Sequence, residues 1–346
     1  MLELSQSRRN CRWTTSLFCI LAWFGPTVNL HAAPPTVVVY TALDEMYSRP
    51  ILDGFHQQTA IEVKTVYDTE AAKTTGLVTR LLAERKRPRC DVFWNNEVAQ
   101  TISLKKQGAL APYRSPAAEM IPPQFKDEEG YWTGFAARAR VIIYNTNLVK
   151  NPPRTIAEFL QPQWSGKAAV SNPLFGTMAT HAAALFAVWG DEKAQAFFRD
   201  LTRNHVAALS GNAVVRDLVA KGEYAVGLTD TDDANGAVED GLPARWLFPD
   251  QGPDGLGTLL IPNSVALIKD APHPEAAKRL IDYLLSAETE MKLAAMRSIQ
   301  IPLHPGVNTP GRVPDLTKVT TMQVTFDAIA EKLPAAMTFA RQEFLK

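Results

Sequence analysis

Cysteine is nearly absent: the 346-residue chain carries three, Cys11, Cys19 and Cys90. Two of them fall within the first 33 residues, so a chain that loses this segment keeps Cys90 alone and has no internal disulfide. Its folded state must then rest on packing rather than on covalent staples. Excess charge is absent too, with 36 basic and 36 acidic residues, which argues against nucleic acid as a partner. The marks of common enzyme classes are missing as well. No GxSxG elbow, HExxH helix, Walker loop or CxxC pair occurs, and the six histidines are scattered without metal-ligand spacing. No internal repeat and no low-complexity segment interrupts the chain.

What is present begins with an export signal. Arg8, Arg9 and Arg12 form a positive stretch, residues 16–25 an apolar run, and His31-Ala-Ala33 a small-residue exit. The apolar run is far short of the roughly 20 residues a membrane-spanning helix needs, so residues 1–33 read as a cleaved secretory signal and the expected location is the periplasm. Ser7-Arg-Arg9 hints at a twin-arginine route, but polar Asn10, Cys11 and Arg12 follow, which favours the ordinary export path. Phe18 before Cys19 is too large for a lipid-modified cysteine. Loss of Glu3 and the three arginines leaves 33 basic against 35 acidic residues.

From Thr36 the pattern alternates between short apolar runs and helical stretches. Strands are expected over 36–40, 61–66, 91–94, 138–144, 168–170, 224–228 and 259–261, with helices such as 178–189 and 275–285 between them. Runs apolar on both faces point to parallel strands covered on both sides, and the fold class is α/β. A chain of this length rarely builds one core, and a second sheet beginning near residue 145 implies two lobes with a cleft between them. The basic stretch Arg85-Lys-Arg-Pro-Arg89 closes a helix and reads as a solvated last turn.

Three polar turns stand at the carboxyl ends of expected strands: 40–45, 94–97 and 230–233. In open α/β sheets that is where ligands bind. The third turn carries Asp230, Asp232 and Asp233 within four positions. Three ionised carboxylates so close must stay in water, hold a proton, or be neutralised by a cation. Asp44 and Asp232 could also serve simply as helix caps, and Glu97 as a favourable first-turn acid. A fourth turn, Ser171 to Thr177, leads into a helix and could hold an anion with Arg138 or Arg140 supplying charge. A preformed calcium loop is excluded, because a loop begun at Asp230 has Ala234, Asn235 and Gly241 where Asp or Asn, Gly, and Glu are required.

Taken together, Val37-Val-Val-Tyr-Thr-Ala42, Cys90-Asp-Val-Phe-Trp-Asn-Asn-Glu97, Arg138-Ala-Arg-Val-Ile-Ile-Tyr-Asn145, Pro162-Gln-Trp-Ser-Gly-Lys167, Pro262-Asn-Ser-Val-Ala-Leu-Ile-Lys269 and the helix that follows it resemble a known family. They are similar to periplasmic solute-binding proteins of ABC importers, particularly the ferric-iron-binding branch of the two-lobed, hinged type II superfamily. The resemblance implies lobes over 34–137 plus about 262–310 and about 138–261 plus 311–346. It implies a monomer that delivers cargo to a membrane permease and its ATPase, with no cofactor and no catalysis. The family's first-turn histidine falls on Asp44, its glutamate on Asn96 or Glu97, and its paired tyrosines on Asp232 and Asp233. Aspartates in place of phenolates are a departure that keeps the site anionic.

The resulting expectation is a cleft that seeks a cation. Asp44, Glu97, Asp232 and Asp233 are the expected metal ligands, with Tyr40, Asn96, Arg138, Ser171, Thr177 and Asp230 around the cargo. Hard oxygen ligands suit iron(III), manganese, magnesium or calcium by softness, and organic ammonium groups by charge. The cargo is therefore a hard metal ion such as iron, or else an organic cation, a polyamine or a zwitterion such as an aminoalkylphosphonate. A metal-dependent hydrolase and a sensor protein are the readings that use the same site for another end.

Overall fold

A computed structural model describes residues 34–68 and 73–345. The export signal expected over residues 1–33 lies outside the described residues. The elements in chain order begin with β1 (Thr36–Thr41), α1 (Glu45–Thr59), β2 (Glu62–Tyr67), α2 (Thr75–Glu84), β3 (Val92–Asn95), α3 (Ala99–Lys106), β4 (Leu110–Ala111) and β5 (Thr133–Asn145). They continue with β6 (Ala168–Ser171), α4 (Gly176–Trp189), α5 (Asp191–Arg203), β7 (Ala207–Leu209), α6 (Asn212–Lys221), β8 (Val226–Asp230), α7 (Thr231–Glu239) and β9 (Ala244–Leu247). Last come β10 (Leu260–Ile268), α8 (Pro274–Leu284), α9 (Ala287–Ala295) and α10 (Phe326–Phe344).

The strands join in the order β2-β1-β3-β10-β5-β8-β6-β7, with β4 added to β10 and β9 to β5. The sheet is mixed rather than all parallel. Strand β10 runs antiparallel to both β3 and β5, and β5 runs antiparallel to β8 and β9. Apolar runs report burial on both faces but not strand direction, which is why the expectation of parallel strands fails for β5 and β10.

Strand β5 is the backbone of the arrangement. Its first part, through Ala139, pairs with β10; from Arg140 onward it pairs with β8. Because β3 is antiparallel to β10, and β10 to β5, strand β3 points along β5 toward Arg138. Strand β8 points the other way, ending at Asp230 beside Arg140. The carboxyl ends of β1 and β3 on one side, and of β6 and β8 on the other, therefore face each other across the middle of β5. This is where strand-end turns from two half-sheets can share one cleft.

Packing fixes these ends. Helix α8 starts with Pro274 in its first turn, where no N–H is missed, and buries Ala276, Ala277, Leu280, Ile281 and Leu284 on one stripe. Each large aliphatic side chain on that stripe contributes about 1.5–3 kcal/mol by burial. Helix α4 is rich in alanine, which lets α10 approach it, and Phe186 meets Phe339 with ring centroids 6.0 Å apart. Gly227 is required by proximity: a Cβ there would lie 2.5 Å from Val215 Cγ1 of α6. An alanine at 227 would push α6 off β8 and shift the turn that begins at Asp230.

Candidate functional site

Asp44 and Asp230 precede helices α1 and α7, yet neither carboxylate caps its helix. Capping was the plain alternative for Asp44, and it does not occur. Instead Asp44 Oδ1 lies 2.5 Å from Lys73 Nζ, with the lysine side chain only 17% exposed. Lys73 also accepts, through its backbone carbonyl, the N–H of Gly176 at the start of α4 (3.2 Å). Residues of the β2–α2 connection thus touch the far side of the cleft.

Carboxylate oxygens of Asp230, Asp232 and Asp233 come within 4.8 Å of one another. Their circumstances differ sharply. Asp232 is buried; Arg138 Nε stands 3.2 Å from its Oδ2, while its Oδ1 has no hydrogen-bond partner among the described residues. Burial pushes the Asp232 carboxyl up to about 6, Arg138 and Lys73 opposing, with Asp230 and Asp44 adding to the rise. Asp233 is raised too, first by burial and then by Asp232 and Asp44, with Lys73 opposing. The charges of Asp44 and Lys73 therefore reach the aspartates of α7 across the cleft.

Arg138 is a tie between the two sides. Besides its ion pair with Asp232, it donates to the Asn96 carbonyl (3.1 Å) and to Asn263 Oδ1 (2.7 Å). Asn96 itself accepts from Thr74 Oγ1 (2.8 Å) and lines a small cavity of about 20 Å³ with Lys73, Ser171, Gly176, Thr177 and Asn212.

Several expected site residues have other work. Asp230 accepts from Arg140 Nη1 (2.6 Å), Thr177 Oγ1 (2.6 Å) and Asn212 Nδ2 (2.8 Å), so both its oxygens are engaged inside the protein. Ser171 donates to Asn212 Oδ1 (2.7 Å). The turn read as an anion holder thus already serves an anion, the carboxylate of Asp230, and Arg140 is its cation. Arg138 stands with Asp232 and not with that turn. Tyr40 is corrected as well: it sits in β1, is buried on the opposite face, donates to Glu84 Oε2 (2.8 Å) and lies under the Arg80 guanidinium. A strand residue one position from a turn points away from it as readily as toward it.

Glu97 is fully buried and accepts from Asn95 Nδ2 (2.7 Å), the Gln100 N–H (3.0 Å) and Thr180 Oγ1 (2.7 Å). Its oxygens tie the start of α3 to α4, and burial raises its pKa. The structure does not gather it with the aspartates, and the expectation of a metal ligand there gives way to a structural one. Two residues enter that sequence reasoning missed, Lys73 and Tyr47. Tyr47 lies three residues after Asp44 in α1, hence on the same helical face; burial raises its phenol, and Asp232, Asp233 and Asp44 add to the rise. Lys73 lies in the connection that follows β2, a further strand-end turn beside that of β1, and the strand-end rule applied to β2 would have pointed to that connection.

What remains is Asp232 beside Asp233 and paired with Arg138, under the charges of the Asp44–Lys73 pair, at the junction of two half-sheets. Residues 51–321 match the family model for bacterial extracellular solute-binding proteins. The chain belongs to that family. Among curated relatives of this solute-binding protein, iron uptake protein A1 of Synechocystis sp. is 26% identical, over 78% of this chain and 74% of its own length. The major ferric iron-binding protein of Neisseria meningitidis is 23% identical, over 88% of this chain and 92% of its own. The crystal structure of iron-bound HitA from Pseudomonas aeruginosa superposes with a TM-score of 0.81 at 22% identity, covering 90% of this chain and all of that one. The fold of the solute-binding protein is thus the two-lobed α/β architecture expected from its sequence, and its role is that of a solute-binding component.

Proposed function

We propose that the cargo is ferric iron or another hard, multivalent metal ion, held by Asp44 from one lobe and Asp232 and Asp233 from the other. The observation that carries this is the buried Asp232 Oδ1, an anionic oxygen without a partner among the described residues, in the carboxylate group of Asp230, Asp232 and Asp233, of which Asp230 is engaged by Arg140. An unpaired buried carboxylate oxygen is unfavourable unless something positive completes it. Carboxylate oxygens are the donor type that hard cations select. The names of the relatives, two of which refer to iron, support the same reading.

The lobes are 34–137 plus about 262–310, and about 138–261 plus 311–346. Support for these borders comes from β5, which changes partner between Ala139 and Arg140, and from the register shift in β10 between Ile261 and Asn263. Cargo bridging Asp44 to the α7 aspartates favours the closed arrangement of the lobes, so binding is a population shift that a membrane permease and its ATPase read. The protein acts as a periplasmic monomer with no catalytic step. Titration of the purified protein with iron(III) supplied as citrate, followed by elemental analysis, tests the reading. Asp232→Asn should weaken binding by about 2–5 kcal/mol, as for truncating one member of a buried charged group. Asp233→Asn, which leaves the Arg138 pair intact, should weaken it in the same sense. Unchanged affinity in both variants would remove the carboxylates as ligands.

A further inference from the structure

The α7 aspartates face a cation that belongs to the chain itself. Lys73 Nζ is paired with Asp44 at 2.5 Å, and its side chain is largely buried. It stands at the point where the two lobes touch, since the Gly176 N–H donates to its carbonyl and Thr75 Oγ1 donates to the Leu174 carbonyl (3.4 Å). Gly176 comes near enough that a Cβ on it would lie 3.9 Å from Lys73 Cβ. The ammonium pairs with Asp44 on one lobe and its charge acts on Asp232 and Asp233 of the other, so it attracts both sides, and burial strengthens that attraction relative to water.

We infer that Lys73 is a tethered stand-in for the cargo cation, holding Asp44 opposite Asp232 and Asp233 until cargo displaces it, and so sets the affinity of the site. The inference rests on the proposed carboxylate site. A lysine ammonium is a point charge on a flexible four-carbon stem, so it can leave Asp44 without moving the backbone. While it is in place, the binding-competent fraction of the protein is reduced, and the apparent affinity for any cation that needs Asp44 falls by that fraction. If the tether is formed about nine-tenths of the time, its removal should tighten binding about tenfold.

The variant is Lys73→Met, which keeps the length and apolar stem of the side chain, with Lys73→Arg as the control that keeps the charge. Two measurements are made on each: iron(III) affinity, with the metal supplied as citrate, and the radius of gyration of the cargo-free protein by small-angle scattering. Lys73→Met should bind iron about tenfold more tightly and be more expanded without cargo, whereas Lys73→Arg should stay near the unmodified protein in both. Unchanged or weaker iron binding in Lys73→Met, with an unchanged radius, overturns the inference even where the carboxylate site is sound. Weaker binding overturns it also when the radius grows, because Lys73 would then assist cargo and not replace it. Should no form of the protein bind iron, the cargo reading fails, and the radius alone decides: expansion in Lys73→Met only keeps Lys73 as the cation that bridges the lobes, and no expansion discards it.

Discussion

Asp230 and Arg140 are cross-strand neighbours on β8 and β5, and the carboxylate takes a hydrogen bond from the guanidinium at 2.6 Å while its other oxygen accepts from Thr177 and Asn212. Arg140 is fully buried, and Asp230 nearly so. A pair of this kind is a fixture of the fold, because removing one member leaves the other charge in a place water cannot reach. Asp230→Ala should therefore lower stability by about 3–5 kcal/mol, read as a fall in the denaturation midpoint. An Asp230→Ala protein with unchanged stability but lost cargo binding would return Asp230 to the ligand set.

The division between Asp230 and its neighbours marks the limit of what the sequence made legible. The alternation of apolar runs and helices identified β1, β2, β3, β6 and β8 within two residues, caught only parts of β5 and β10, and put Asp232 and Asp233 at the strand-to-helix junction, where they stand in the first turn of α7. It could not say which of three adjacent aspartates pairs internally. That depends on Arg140 lying across the sheet, a contact 90 residues distant in sequence and set by antiparallel pairing that an apolar run does not encode. Tyr40 was misplaced for a simpler reason, since a strand's two faces alternate and the turn begins at an uncertain residue. Lys73 went unseen because the strand-end rule was applied to β1, β3, β6 and β8 and not to β2, and its pairing with Asp44 is a tertiary contact that leaves no local pattern. The anion-holding character of the Ser171 turn was legible, but its anion proved to be a residue of the chain.

Binding should depend on pH in one direction. Burial raises the Asp232 carboxyl to about 6, and Asp233 is raised as well, so the cargo-free site takes up protons in mild acid that a bound cation must expel. Affinity should hold above about pH 7 and fall as pH drops through 6, by up to about tenfold per pH unit for each proton displaced. Calorimetry in two buffers of different ionisation enthalpy would count those protons directly. A flat affinity between pH 7.5 and 5, or no proton release at pH 6, would exclude these carboxylates as the ligands.

Away from the cleft, Asp250 offers a test of burial without cargo. It lies in the left-handed region, at φ 59°, and Oδ2 accepts only a long hydrogen bond from the Ile156 N–H at 3.4 Å. Burial raises its carboxyl to about 6, with the Ile156 N–H opposing and Glu158 adding to the rise. The unfolded chain releases this proton near pH 4, whereas the folded chain keeps it to about 6. Between those values the native state binds more protons than the unfolded one, so stability contributed at this position falls as pH rises through the window and is absent above it. Asp250→Asn keeps an acceptor oxygen, tolerates the left-handed backbone and carries no charge to bury. Its melting temperature should exceed that of the unmodified protein at pH 7.5 and match it at pH 4. Equal melting temperatures at both pH values would show that the Asp250 carboxylate is already solvated when ionised.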